Sequence, residues 1–478
     1  MSDESMPPLG PPYGPADPPP APRFPAHPPT EWAPPPFEPF PAPMPMPDGP
    51  NPNRRALAIG AAVIVLLLLV GTVTWLTDDD PSTVAAPQRT TTTEPDTNSD
   101  LFSSDSSSSD SSSSDPSATT TTEPKPLDLV IEDIKAFVER ERGLKFKADV
   151  PVALLANRAF ESELLLEFDK DTSSTKELGQ VLTALGLVDP GTDVVADLRQ
   201  LVTAGVVGFY DPKTKRLVVR GSDTTPYVRK VLAHELTHAL DDQYFNLDRD
   251  ALDKADDESS FGFSALAEGD ARRIEDKYYA SLSFADQSAA DEEERALVAA
   301  SPQIYSLPPV LLVLLVAPYD DGEPFVQKLL DAGGQPRLDG AFTAPPTTRE
   351  QVIEPDDYLA GQGAAAVADP QPDGTAAPAN RGVLGVLLLQ QLLAQGLPSI
   401  GGSTSLEEPL KQWGGDKYVT WTDGERTCIR DAVVGDTPEA TTALFDAFAD
   451  WAASPGVTAK VAATGATPST GFAITACA

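Results

Sequence analysis

Val231-Leu-Ala-His234-Glu235-Leu-Thr-His238-Ala-Leu240 is the stretch around which the rest of the chain is organised. At helical spacing His234 and His238 lie one turn apart on the same face, with Glu235 beside them. Two imidazoles so placed hold a zinc ion, and the carboxylate works on its water, as a zinc hydrolase requires. The plain alternative is a chance match on an ordinary amphipathic helix. The chain has 3 His, and one of them, His27, sits in a proline-rich tail. In chains this poor in histidine, H-E-x-x-H arises by chance in about one of a thousand. A metal site on this helix is therefore the expectation.

The 478 residues carry 35 basic and 72 acidic side chains. Phosphate binding needs clustered Lys and Arg, so this balance argues against nucleic acid as a partner. Composition is too uneven along the chain for one compact body, and only the later part has enough mixed apolar sequence for a large core. Cys428 and Cys477 are the only cysteines and form no CxxC pair. Two well-separated cysteines in an exported chain read as one disulfide.

Residues 1–53 hold 22 prolines with scattered aromatics and cannot build a core. They read as a cytoplasmic spacer, or as the ligand of a proline-recognising cytoplasmic partner. Arg54 and Arg55 precede an uncharged run from Ala56 to Leu76. At about 1.5 Å per residue, roughly 20 such residues cross the hydrocarbon core of a bilayer. Residues 54–76 are thus expected to form one transmembrane helix, meeting the lipid bilayer through residues 56–76. Arginines before it and Asp78, Asp79 and Asp80 after it place the N-terminus in the cytoplasm and the remainder outside the cell membrane. Residues 77–126 are Ser, Thr, Asp and Pro, with the repeat Asp105-Ser-Ser-Ser-Ser-Asp110-Ser-Ser-Ser-Ser-Asp115, and read as a stalk.

From residue 127 the pattern becomes globular and stays so to residue 478. Asp128 is expected to cap a helix ending near Gly143, Phe146 to Leu155 to form a strand, and Asn157 to cap a helix to Phe168. Helices are expected near 174–186 and 192–203. Gly205-Val-Val-Gly-Phe-Tyr210, the turn at Asp211-Pro-Lys-Thr-Lys and Arg216-Leu-Val-Val-Arg220 predict a hairpin. Thr225 as N-cap and Pro226 at N1 launch the histidine helix. Val310 to Val316 and Val383 to Leu393 are apolar but too short to span a bilayer, so they read as core. Residues 361–380 read as a loop, Tyr418 to Trp421 and Cys428 to Val434 as strands, and Asp436-Thr-Pro-Glu439 as the start of a helix to Ala453.

His234-Glu235-Leu-Thr-His238 after a hairpin resembles the zincin metallopeptidases. More closely, the chain resembles a little-characterised group of bacterial and archaeal metallopeptidases of gluzincin type. The matching residues are the helix with its trailing Asp242-Gln243, then Ala267-Glu268-Gly269-Asp270-Ala271. Pro318-Tyr319 through Gly322 to Phe325-Val326, Pro345-Pro346 through Glu350-Gln351-Val352 to Tyr358, and Trp413-Gly414-Gly415-Asp416 follow in the group's order. The chain departs at Arg349, and at Glu354, where the group carries histidine. The expected fold is α+β and zincin-like: a small mixed sheet with an edge hairpin packed on the HExxH helix, then a mostly helical part, all preceded by the transmembrane helix.

Hydrolytic zinc sites keep three protein ligands and one open position. With no third histidine outside the tail and the cysteines assigned to each other, the third ligand is expected to be a carboxylate. Asp241 and Asp242 suit hydrogen bonding to imidazole better than closing the site. Asp256, Asp257 and Glu258 read as a solvated loop. Glu268 lies among Ser264-Ala-Leu-Ala267 and Gly269, small residues that let a second helix approach the first, and the resemblance points to the same glutamate. The competing reading is a surface Glu268 paired with Arg272 at i+4. The expected cofactor is one zinc ion on His234, His238 and Glu268, with Glu235 as general base hydrolysing a peptide or protein substrate. Tyr358, Tyr319 and Arg349 are the candidates for stabilising the oxyanion. The edge strand, expected in Val206 to Tyr210 ahead of Leu217 to Arg220, would pair with an extended peptide, and Phe209 and Tyr210 would wall a pocket. A catalytically weak or inactive surface scaffold or binding protein of the same fold is the alternative: the intact Glu235 argues against it, and Glu354 in place of the group's histidine argues weakly for it.

Overall fold

The computed structural model describes residues 126–170, 172–249, 252, 257–395 and 408–478. The proline-rich segment, the expected transmembrane helix and nearly all of the expected stalk lie outside the described residues. Among the described residues no helix is long and apolar enough to cross a membrane.

The architecture is α+β. Helix α1 (Leu127–Arg142) ends at Gly143, whose φ of 75° gives the left-handed cap that glycine adopts without cost. Asp128, expected as its N-cap, lies inside the first turn. Strand β1 (Val152–Leu155) is shorter than its sequence implies. The N–H groups of Lys147 and Ala148 donate to Gln243 Oε1 at 2.6 and 3.1 Å, so a side chain, and no neighbouring strand, holds that stretch. Helices α2 (Asn157–Phe168), α3 (Ser173–Ala184) and α4 (Val194–Gly205) follow, the last capped by Asp193. Strands β2 (Gly208–Asp211) and β3 (Arg216–Arg220) form the expected hairpin.

The three strands make a mixed sheet in the order β1-β3-β2, with β1 parallel and β2 antiparallel to β3. Thus β2 is an edge and β3 is central. Helix α5 (Pro226–Phe245) starts as expected, with the Thr225 side chain accepting the Val228 N–H at 3.1 Å. It packs against β2 and β3 on one side and against α1, α6 (Asp257–Ser281) and α7 (Phe284–Ala299) on the others. Burial all round is why α5 carries so weak an amphipathic pattern. Leu232, Leu236 and Leu240 are fully buried along it, each worth roughly 1.5–3 kcal/mol of transfer free energy.

Helix α8 (Pro309–Thr343) contains the expected core segment and is two helical stretches joined at Gly333 and Gly334, the latter at φ 65°. Its Gly322 meets Gly269 of α6 backbone to backbone: a Cβ on Gly269 would sit 2.2 Å from the Gly322 carbonyl. The small residues around Glu268 therefore also serve this second approach. Short helices α9 (Glu350–Ile353) and α10 (Pro355–Ala360) lead into residues 361–380, irregular as expected except for turns.

A second sheet was not anticipated as a unit. It is antiparallel throughout and combines β4 (Arg381–Gly382), β5 (Trp413–Asp423), β6 (Arg426–Gly435), β7 (Lys460–Ala463) and β8 (Phe472–Cys477) in the order β4-β5-β6-β8-β7. Helices α11 (Gly385–Leu393) and α12 (Pro438–Ala452, capped by Thr437) pack on it. Cys428 and Cys477 are register partners across β6 and β8 and form the disulfide, closing a separation of 49 residues. In the chain-entropy description such a loop is worth roughly 4 kcal/mol.

Candidate metal centre

Helical spacing on α5 sets His234 and His238 together, and α6 crosses α5 with Glu268 facing them. His234 Nε2 lies 3.0 Å from His238 Nε2 and 3.1 Å from Glu268 Oε2, and the His238 Nε2 to Glu268 Oε2 separation is 3.3 Å. The three are buried and could hold a metal ion. Glu268 is 3% exposed, so it is not the surface partner of Arg272, which pairs with Glu275 and Asp276.

The residue that sequence reasoning missed is Glu275. Its Oε2 lies 2.9 Å from His234 Nδ1. Burial would raise its pKa, but Arg272, His234 and Lys230 hold it down at about 2, so the carboxylate only accepts and Nδ1–H donates. This bond orients the ring and turns Nε2 toward Glu268. Asp241 and Asp242, expected in that role, are engaged elsewhere. Asp241 pairs with the fully buried Arg142 at 2.7 Å, and the same Nε lies 2.6 Å from Asp270. Arg142 also reaches Asp339 at 2.7 Å, so one guanidinium ties α1, α5, α6 and α8 together behind the site. Asp242 accepts the Tyr210 hydroxyl, the Lys215 ammonium and the Leu247 N–H, at 2.7, 2.7 and 2.9 Å, and so pins the hairpin to the end of α5.

Protons are distributed unequally between the imidazoles. Burial would lower His234, but Glu268 and Glu275 outweigh it and raise its pKa to about 10. His238 lacks a second carboxylate, and burial takes it below the usual imidazole range. Burial alone would raise Glu268, yet the two imidazoles hold it low. A metal ion held at this place would displace the His234 proton.

Glu235 is fully buried. Its Oε2 accepts the Tyr210 N–H at 2.8 Å, while Oε1 has no hydrogen-bond partner among the described residues. Burial drives its pKa well above the carboxylate range. The β2 register explains the anchor. The Arg220 N–H donates to Val207, so the paired positions on this hairpin are 207, 209 and 211, and the backbone polar groups of Gly208 and Tyr210 turn away from β3 toward the free edge. Glu235 thus takes up the Tyr210 N–H that an extended substrate was expected to use.

A cavity of about 670 Å³ reaches Glu268 and passes Tyr319, Arg349, Phe209 and leucines of α8 and α11. Phe209 walls it, as expected; Tyr210 turns to α5 instead. Tyr319 stacks on His234 with 6.1 Å between ring centroids and an interplanar angle of 27°. Tyr358 donates its hydroxyl to Ala344 O at 2.7 Å and does not line the cavity. Glu354 also stands outside it, 3.7 Å from Lys411. Glu258, expected in a solvated loop, is buried in α6 and accepts the Arg349 backbone N–H at 2.7 Å.

Comparison of the chain with protein-family models, curated proteins and solved structures returns no match.

Proposed function

We propose that this chain is a zinc-dependent peptidase of zincin-like, gluzincin-type fold, anchored by residues 56–76 with residues 127–478 outside the cell membrane. The observation that carries the reading is the convergence of His234, His238 and Glu268 beside a buried Glu235 with one unpartnered oxygen. Zinc bonds of about 2.0–2.2 Å place two ligand atoms of a tetrahedron about 3.3–3.6 Å apart. The separations of 3.0, 3.1 and 3.3 Å lie at or a little inside that range, so the side chains would move slightly apart to admit the ion. Among the described residues the set stops at three ligands, which supports a hydrolytic rather than a structural site.

When bound, zinc supplies Lewis acidity to water and to the scissile carbonyl. Glu235, fixed at Oε2 by Tyr210 N–H, takes a proton at Oε1 and delivers it to the leaving amine. Glu275 keeps Nδ1–H on His234, so Nε2 presents its lone pair. Of the expected oxyanion candidates, Tyr319 is the one whose ring stacks on His234.

Zinc stoichiometry and peptide hydrolysis of the full-length chain test the reading. Glu235→Gln is expected to keep zinc and lose hydrolysis, whereas Glu268→Ala loses both. Full zinc occupancy in Glu268→Ala would move the third ligand elsewhere, and hydrolysis by Glu235→Gln at the wild-type rate would remove the general base. Proteolysis of intact cells is expected to release residues beyond the stalk, and their full protection would overturn the orientation.

A further inference from the structure

The cavity that reaches Glu268 continues well past the metal ligands. Phe209 and Val218 line it and pack with leucines and valines of α2, α3, α4 and α11, whereas Tyr210, Leu217 and Val219 of the same strands pack with α5. It therefore runs from Glu268 and Tyr319 to the face of the first sheet that α5 leaves uncovered. It opens beside the hairpin turn, where Lys213 and Thr214 are exposed, and beside Leu166 of α2, a leucine 61% exposed. On α6 alone its lining extends from Glu258 to Glu268, a rise of about 15 Å. Much of the remaining wall is aliphatic: Leu164, Leu178, Val181, Leu198, Val202 and Leu388. These side chains offer no hydrogen bond.

An ordinary peptide fits such a space poorly. Its backbone, laid against leucine and valine, would leave N–H and C=O groups unpaired. A single natural side chain would fill only part of it, since about 670 Å³ exceeds several-fold the roughly 150 Å³ that accepts a benzene ring. A long hydrocarbon chain meets both conditions. It carries no amide, and one acyl chain of a lipid reaches about 15 Å, half of the roughly 30 Å hydrocarbon core of a bilayer. We propose that the cavity is an acyl-chain subsite, and that the substrates are peptides carrying a long aliphatic acyl group beside the bond presented to the metal. The proposal rests on the peptidase reading of this site and adds the substrate class, lipid-modified peptides. A free fatty acid offers the same chain without the peptide, and the test separates the two.

Photolabelling of the full-length Glu235→Gln protein, reconstituted in lipid discs with zinc added, tests this without requiring cleavage. The probe is a short peptide bearing an acyl chain of about twelve carbons that ends in a photoreactive diazirine. Mass spectrometry of the labelled protein is expected to place the chain end on the segments holding Leu178, Val181, Leu198 and Val202. An unlabelled acyl peptide in excess is expected to lower that signal at least about 10-fold, and the acetylated peptide to leave it unchanged, because each buried methylene adds to affinity. Leu388→Trp fills part of the cavity and is expected to abolish the signal, with thermal unfolding reporting whether the variant folds; the competition arm decides the matter if it does not. Labelling confined to other segments, equal competition by the acetylated peptide, or a signal that survives in folded Leu388→Trp would each overturn the subsite. Labelling of the same segments by a diazirine fatty acid but not by the acyl peptide would also overturn it, since the chain would then belong to a bound lipid and not to a substrate. Hydrolysis by the wild type is scored separately, so its absence would sink the peptidase reading and leave the labelling result standing.

Discussion

Glu275 does at His234 what no described residue does at His238, whose Nδ1 has no partner. Removing such a partner typically costs 10- to 100-fold in metal affinity, since the ring loses both its orientation and part of its basicity. Glu275→Gln is expected to weaken zinc about 10-fold and Glu275→Ala toward 100-fold in chelator competition. Unchanged affinity in both would reduce Glu275 to a packing residue. At this scale the sequence displayed His234, Glu235, His238 and Glu268, because H-E-x-x-H is local and scarce histidine left few alternatives. It did not display Glu275, two turns beyond Glu268, because i,i+7 gains meaning only once residues 257–281 are known to be one helix facing α5.

Among the elements, the contact between β2 and α5 sets the position of Glu235. Gly208 has no room for a side chain: a Cβ there would lie 2.7 Å from Val231 Cγ1 and 3.5 Å from Glu235 Cγ. Gly208→Ala is expected to push β2 away from α5, costing about 1–3 kcal/mol in thermal stability and displacing the Tyr210 N–H from Glu235. Adding Val231→Ala makes space for the new methyl group, so the double variant should recover part of the lost activity. Strictly additive losses would mean the clash is not the cause. The hairpin was legible from its turn residues, and its edge status followed once β1 paired with β3. The capture of an edge N–H by Glu235 was not legible, since it depends on how a helix lies over a strand 25 residues away.

Over the whole molecule, the second sheet carries a buried acid pair behind the cavity wall. Asp416 accepts the N–H groups of Leu384 and Gly385, at 2.7 and 2.9 Å, and so holds the start of α11, whose leucines line the cavity. Burial raises Asp416 to about 6 and drives Asp431 well above the carboxylate range, where the neighbouring Asp416 charge adds to the effect. An unfolded Asp titrates near 3.9, about two units below Asp416. Because the folded value is the higher one, the stability from this pair is fully present below about pH 4 and is lost as pH rises through about 6. Asp431→Asn removes one titrating group beside Asp416. The unfolding midpoint should therefore fall less steeply between pH 5 and pH 8 in this variant than in the wild type. Parallel curves would remove the pair from the pH response.

The sequence by itself determined what local spacing can encode: the histidine pair one turn apart, the capped helix that carries it, the hairpin ahead of it, and a disulfide as the only pairing two cysteines allow. Glu268 was reachable because elimination left few carboxylates and its small neighbours marked a helix crossing. Tertiary structure alone decided which carboxylate braces which imidazole, and that Asp241 and Asp242 serve Arg142 and the hairpin instead. It also decided that Tyr358 and Glu354 stand outside the cavity while Tyr319 and Arg349 line it. The physical reason is distance along the chain. Arg142 meets Asp241 across 99 residues, and His234 meets Glu275 across 41, with each partner chosen by helix packing that no local pattern specifies.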